Sequence, residues 1–334
     1  MTDPASPIWD TLRSSWRASA MRTMAELRVA DHLADGPLTV TELATRCEAH
    51  APSLGRLMRA MASVGLVETV GEDRYALTGT GALLRSDLPS SLRTSVLFNT
   101  DPTLAIALAG LTSTVRTGRS HWVETKGVLY DYMAGDPELL ALFNEYMTVR
   151  AVPMAAGVAE QYDFAEVRTL VDVGGGRGHL TAAILRANPE MRATLFELAQ
   201  VLPAAQAAFE SWGLADRCEF VAGDFFASVP AGADAYLLGS VVHNWDDNDA
   251  LRVLGTVRVA VPQHGRVLLV EMVLPDDDEP HFGKDLDIRM LSIFGQGRER
   301  SRSEYTVLLE KAGLELTRVI PIPFNASVVE ARPV

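Results

Sequence analysis

Three kinds of side chain in the second half of the chain stand where chemistry is possible: a glycine cluster, carboxylates that follow apolar runs, and one histidine among acids. In Asp172-Val173-Gly174-Gly175-Gly176-Arg177-Gly178 the glycines let the backbone turn tightly and approach a ligand that a Cβ would exclude. The run is not the dinucleotide pattern Gly-x-Gly-x-x-Gly, although Gly174 and Gly176 begin it, because position 179 is His. Further on, Leu195-Phe196-Glu197-Leu198 sets a carboxylate where it can accept hydrogen bonds from both hydroxyls of a ribose. Val221-Ala222-Gly223-Asp224-Phe225-Phe226 offers a second one, suited to an adenine amino group, with aromatic faces beside the ring. Asp224 also reads as a helix N-cap. Leu237-Leu238-Gly239-Ser240-Val241-Val242-His243-Asn244-Trp245-Asp246-Asp247 then carries a histidine to the edge of the same cleft. An imidazole titrates near neutrality and suits removal of a proton from an attacking oxygen. Residue type alone does not separate His243 from the other histidines, since a lone His is more often structural.

The elements that must position these groups follow from periodicity. After about Glu166, apolar runs at Thr169 to Val173, Ala193 to Phe196, Cys218 to Ala222, Ala235 to Leu238 and Val267 to Val270 alternate with helical segments. Short buried strands separated by helices predict an α/β fold with a doubly wound parallel sheet. Ligands on such a sheet sit outside the carboxyl ends of the strands, which is where the motifs fall. The N-terminal part has another pattern. Leu12, Trp16, Met24, Leu27 and Leu33 predict one packing helix from about Trp9 to Leu33, ending near Gly36-Pro37. Two short helices at Thr39 to Ala44 and Ala51 to Val64 follow, then strands at Leu66 to Val70 and Tyr75 to Thr78, the order of a winged helix. Residues 101–160 continue as helices. The expected divisions are 1–100, 101–160 and 161–334.

Charge and composition narrow the function. A net charge of −13 disfavours nucleic acid or an anionic membrane as partner, because such surfaces are held by clustered Lys and Arg. Residues 1–100 carry 10 Lys plus Arg against 11 Asp plus Glu, where a DNA reader shows a basic face. A winged-helix DNA-binding regulator therefore stays only as an alternative. Cys47 and Cys218 lack the spacing of a disulfide framework or a zinc site, so no metal is expected. The first residues lack the apolar run of a signal peptide, and no stretch approaches the ~20 apolar residues of a membrane span, so a cytoplasmic protein is expected.

With these motifs, the winged helix, the segment Phe143-Asn144-Glu145-Tyr146-Met147 and the loop from Gly295 to Ser301, the chain resembles the Class I S-adenosylmethionine methyltransferases. More narrowly, it resembles the plant-type small-molecule O-methyltransferases and their bacterial relatives in aromatic polyketide tailoring. The resemblance extends over nearly the whole length. It implies a Rossmann-like catalytic domain, an N-terminal winged-helix domain that forms a homodimer, S-adenosyl-L-methionine as cofactor and a small aromatic acceptor. It places Asp172, Gly174 and Gly176 beside the methionine moiety, Glu197 and Leu198 at the ribose, and Gly223, Asp224, Phe225 and Phe226 around the adenine. The resemblance also sets Gly239 and Ser240 at the border of the same site and has Arg150, expected at a helix end, reach the cofactor carboxylate; Arg150 also reads as a solvated helix end. Many family members carry Asp at position 197, and plant members carry Lys at position 239.

In the resembling family the position of His243 is the general base, flanked by acids that match Glu271 and Glu299. A carboxylate on one ring nitrogen fixes the tautomer and steadies the imidazolium. Glu271 also reads as a strand-end hydrogen-bonding residue, and Glu299 as a surface partner of an Arg. Asp287 matches a recurrent acidic position and is assigned to support. Phe143, Met147, Met290 and Phe294 align with an apolar acceptor pocket or pack in the core, and Asn244 is placed to donate a hydrogen bond to the acceptor. Some bacterial relatives hydroxylate or decarboxylate polyketides, and that alternative stays open.

Overall fold

The computed structural model describes residues 4–334, which form two units. One comprises the chain up to residue 106 together with Met133–Val149; the other comprises Ala107–Tyr132 and Arg150–Val334. The segment 101–160 contributes to both.

In the first unit the helix expected from Trp9 to Leu33 is two helices, Ser6–Glu26 and Val29–His32. The break is Arg28, whose φ of 52° puts it in the left-handed region that ends an α-helix. The last two turns of the long helix pack on the core of the unit, burying Met24 and Ala25 with Ala20 and Met21 against it. Trp9, Leu12 and Trp16, at i, i+3 and i+7 on one face, are 60, 51 and 70% exposed. Thr39 then starts the helix Val40–Arg46 through a capping box with Glu42. The helix Ala51–Ser63 begins with Pro52 in its first turn and buries Leu54, Met58 and Met61 along one face. A hairpin of β2 (Val67–Thr69) and β3 (Arg74–Leu77) follows, and β1 (Leu38–Thr39), not foreseen, pairs with β3 to give the order β1-β3-β2.

The second unit is built on β4 (Thr169–Val173), β5 (Arg192–Glu197), β6 (Cys218–Ala222), β7 (Ala235–Gly239) and β8 (Arg266–Leu274). These five are parallel to one another. Strands β4, β7 and β8 are buried over nearly their whole length, as expected where helices cover both faces. Beyond them lie β9 (Arg300–Ser301), β10 (Leu314–Ile322) and β11 (Ala326–Pro333). The sheet order is β10-β11-β8-β7-β4-β5-β6, with β9 on β8. The expected all-parallel sheet is thus a mixed one, because β10 and β11 form an antiparallel hairpin and β11 adds antiparallel to β8. Phe324 and Asn325, at φ 67° and 56°, reverse the chain between them. One core cluster includes Ile184, Phe209 and Leu237; the other includes Leu254, Tyr305 and Val329.

Strand order reverses between β4 and β7, the crevice where an open α/β sheet binds ligands. The glycine run leaves β4 there, and the His243 segment leaves β7. Among the described residues no helix is long and apolar enough to cross a membrane.

Candidate active site

The glycine run makes a cradle at the carboxyl end of β4. Gly174 has φ 70°, and a Cβ there would stand 3.1 Å from Val241 Cγ2 and 3.5 Å from Phe225 Cε1. The turns that follow β4, β6 and β7 therefore converge, and a side chain at 174 would fill the space between them. Gly178, at φ 79°, starts the helix His179–Ala187; a Cβ there would lie 2.3 Å from the Phe209 ring, so the position requires glycine on two counts. Gly176 donates its N–H to Glu197 Oε2 at 3.0 Å, and Leu198 donates to Glu197 Oε1 at 2.8 Å. The carboxylate at the end of β5 is thereby turned back toward the glycine run.

Asp172 is buried and accepts a hydrogen bond from Thr181 Oγ1 at 2.5 Å. Burial pushes its carboxyl up to about 7, against the Thr181 bond and with the charge of Glu197. Asp224 is exposed, and its side chain accepts from Phe226 N–H at 2.8 Å; it caps a turn, and no helix begins there. Phe225 faces Gly174, while Phe226 packs on Trp245 at 4.8 Å between centroids and under Arg252. Gly239 ends β7, and Ser240 follows at φ 55°, a left-handed conformation that costs a side chain about 1 kcal/mol or more. Asn244 Nδ2 donates to Ser240 O at 2.9 Å and so holds this strained turn.

His243 lies in the one-turn helix Val242–Asn244. Its Nδ1 is 2.9 Å from Glu299 Oε1 and 3.8 Å from Glu271 Oε2. Both carboxylates are buried, so Glu299 is not a surface partner of an arginine: the burial of its loop against the turn after β7 has brought it to the imidazole. Glu271 Oε1 accepts from the backbone N–H groups of Val241, Val242 and His243 at 3.1, 2.8 and 3.4 Å. Glu271 Oε2 and Glu299 Oε2 have no hydrogen-bond partner among the described residues. A carboxylate can only accept, so Nδ1 carries the proton of the 2.9 Å contact, and in the neutral ring Nε2 keeps the free lone pair. Burial pulls the His243 pKa down, but the charges of Glu271 and Glu299 pull it up by more, with Arg150 opposing them; the net shift is upward. Burial pushes Glu271 up to about 7 despite the neighbouring imidazole.

Asp287 Oδ1 accepts from Glu299 N–H at 2.8 Å. Met290 is buried and opens a π-helical turn, Met290–Phe294, whose Phe294 ring stands 6.3 Å from Tyr130; Ser120 Oγ donates to Ser292 O within that turn at 2.7 Å. Arg150 is inside the helix Pro137–Gln161 rather than at its end. Phe143 and Met147 belong to the first unit, both half-buried, with Phe143 5.4 Å from the Phe98 ring.

Sequence reasoning missed several groups at this centre. Thr181 holds Asp172. Arg300 is completely buried and bonds to Asp247 and to two carbonyls of the His243 segment. Tyr305 is buried too, its phenol pKa raised by burial and then by the charges of Glu271 and Glu299.

The O-methyltransferase domain family matches residues 108–315, and the O-methyltransferase dimerisation domain family matches residues 9–87. The chain belongs to this O-methyltransferase family. Its fold is that of the Class I methyltransferases with a helical N-terminal domain, and enzymes of the family take their methyl group from S-adenosylmethionine. A phenazine O-methyltransferase of Lysobacter antibioticus is 38% identical over 331 residues, covering 99% of this chain and 96% of that one. A methyltransferase of calicheamicin biosynthesis, solved in its S-adenosylhomocysteine-bound form, superposes with a TM-score of 0.90 at 33% identity, with 100% of both chains covered. Aclacinomycin 10-hydroxylase of Streptomyces purpurascens is 36% identical over 323 residues, 93% of this O-methyltransferase chain and 86% of its own.

Proposed function

We propose that this chain transfers a methyl group from S-adenosylmethionine to a hydroxyl of a small aromatic natural-product acceptor, with His243 as general base. The observation that carries the reading is the 2.9 Å bond from His243 Nδ1 to Glu299, which leaves the Nε2 lone pair to take a proton. The bound cofactor supplies an electrophilic methyl on a sulfonium. Asp172, the Gly174–Gly176 turn and Glu197 would hold it, with Asp224 and Phe225 toward its adenine. His243 Nε2 would take the acceptor's O–H proton as the methyl passes from sulfur to that oxygen, the sulfur–carbon bond breaking and S-adenosylhomocysteine leaving. Glu299, 2.9 Å from Nδ1, and Glu271, 3.8 Å from it, then stabilise the charge of the imidazolium.

Purified protein incubated with S-adenosylmethionine and a panel of hydroxyphenazines, hydroxynaphthoates and aminohydroxybenzoates is expected to yield a product heavier by one CH₂, read by mass spectrometry. A product heavier by one oxygen would move the chain to the hydroxylating branch of the family, and failure to bind S-adenosylhomocysteine in calorimetry would sink the reading. The exposed Trp9, Leu12 and Trp16 face supports a homodimer through the first unit; a monomer by light scattering counts against it.

The base must be neutral to act. Because the net shift of His243 is upward, kcat/KM is expected to rise with pH through a midpoint above the ordinary histidine value of about 6.5. Glu299→Gln removes one of the charges that raise it, so the acidic limb moves to lower pH. A limb that stays in place in that variant contradicts the assignment. For stability the sign is opposite. Protonated His243 stabilises the folded chain fully below about pH 6.5, and that contribution is lost as pH climbs through the folded value.

A further inference from the structure

We infer that Arg300 is a positioning residue for the base, acting through the backbone of the turn that carries His243; this rests on the reading of His243 above. Its guanidinium is completely buried and serves three acceptors on one segment. Nε and Nη2 donate to Asp247 Oδ1 at 3.1 and 2.8 Å, Nη1 donates to Val242 O at 3.2 Å, and Nη2 also donates to Trp245 O at 2.9 Å. The His243 carbonyl is held from the same loop, by the Arg298 N–H at 2.8 Å. Gly297 leaves room for that approach, since a Cβ there would lie 2.9 Å from His243 O.

The turn is thus gripped on both sides. Glu271 takes the N–H groups of residues 241, 242 and 243, while Arg300 and the Arg298 amide take the carbonyls of 242, 243 and 245. The same loop carries Glu299 to Nδ1, so one strand of chain fixes both the imidazole's backbone and its hydrogen-bond partner. Only a planar fork of N–H donors meets three acceptors in this arrangement; a lysine ammonium keeps the charge beside Asp247 but not the fork. A charged side chain is seldom wholly buried unless its surroundings demand it, and here every acceptor flanks the histidine.

The first test needs no acceptor. In protein with ¹⁵N-labelled histidine, the Nδ1 proton of His243, assigned with His243→Gln, is expected as a slowly exchanging downfield resonance that is lost or exchanges fast in Arg300→Lys. Absence of that resonance in the wild type, or its persistence unchanged in the variant, overturns the inference. The second test uses the phenols of the panel. Arg300→Lys is expected to lower kcat by about tenfold or more, with KM for S-adenosylmethionine within about twofold of wild type. In a His243→Ala background the same substitution is expected to cost less than about twofold, because its effect runs through the imidazole. Equal losses in both backgrounds, or full activity in Arg300→Lys, refute it. Should Arg300→Lys fail to fold, Asp247→Asn loosens the guanidinium from its outer end and is expected to lower kcat a few-fold with the same dependence on His243; a loss independent of His243 refutes the inference. A His243→Ala protein of wild-type activity would instead sink the base assignment, so the two failures are distinguishable.

Discussion

His243→Ala is expected to lower kcat for methyl transfer by about 10²- to 10⁴-fold, the range that removal of a general base produces. The loss should fall on kcat, with KM for S-adenosylmethionine unchanged, because the cradle at Gly174 and the Glu197 carboxylate do not depend on the imidazole. His243→Gln should lose about as much, since an amide can accept a hydrogen bond but cannot hold the acceptor's proton. Alanine also removes the group that two buried carboxylates flank, so thermal denaturation must accompany the rates. Initial rates of S-adenosylhomocysteine release at saturating acceptor make the comparison. A variant within about twofold of wild type would show that orientation alone drives the reaction.

How far this centre was legible in the sequence depended on which physical signal each part leaves. Strands β4, β7 and β8 are buried over nearly their whole length, so they read as mainly apolar runs, and the turns after β4 to β7 carry recognisable motifs. The C-terminal hairpin left no such trace. In β10, Leu314–Ile322, exposed Thr317 and Arg318 interrupt the apolar residues, and Pro321 argues against a strand; it is an edge strand, where these residues are tolerated. Its turn uses Phe324 and Asn325 at positive φ without a glycine. Arg28 likewise ends a helix with neither Gly nor Pro to announce it. Glu299 and Arg300 lie in a charged run, Arg298-Glu299-Arg300, that reads as surface. Their burial is decided by partners 53 to 58 residues away, a separation that local pattern does not encode.

Glu271→Ala is expected to destabilise the protein by about 3 kcal/mol or more and to lower kcat by about 10²-fold or more, whereas Glu271→Gln should keep the fold and lose far less. The difference follows from the work done by one oxygen. Glu271 Oε1 is the acceptor for the N–H groups of Val241, Val242 and His243, all in buried residues. Truncation leaves three buried donors without a partner at about 1 to 3 kcal/mol each. It also frees the turn that aims the imidazole, so stability and turnover fall together. The amide of glutamine presents an oxygen at the same place. It also resembles the protonated acid, which matters because burial has already pushed Glu271 up to about 7. The sign for stability is the reverse of that for a carboxylate whose folded value is depressed by an ion pair: a raised folded value means that ionising Glu271 costs stability progressively as pH climbs from about 4.3, its unfolded value, through about 7. Glutamine has no such cost, so Glu271→Gln should lie closest to wild type in melting temperature at pH 5 and gain on it at pH 8, while alanine falls below it at both. Melting curves of the three proteins at the two pH values, with initial rates beside them, separate the anchor from the charge. Equal melting temperatures for alanine and glutamine would mean that the three N–H bonds do not hold the turn.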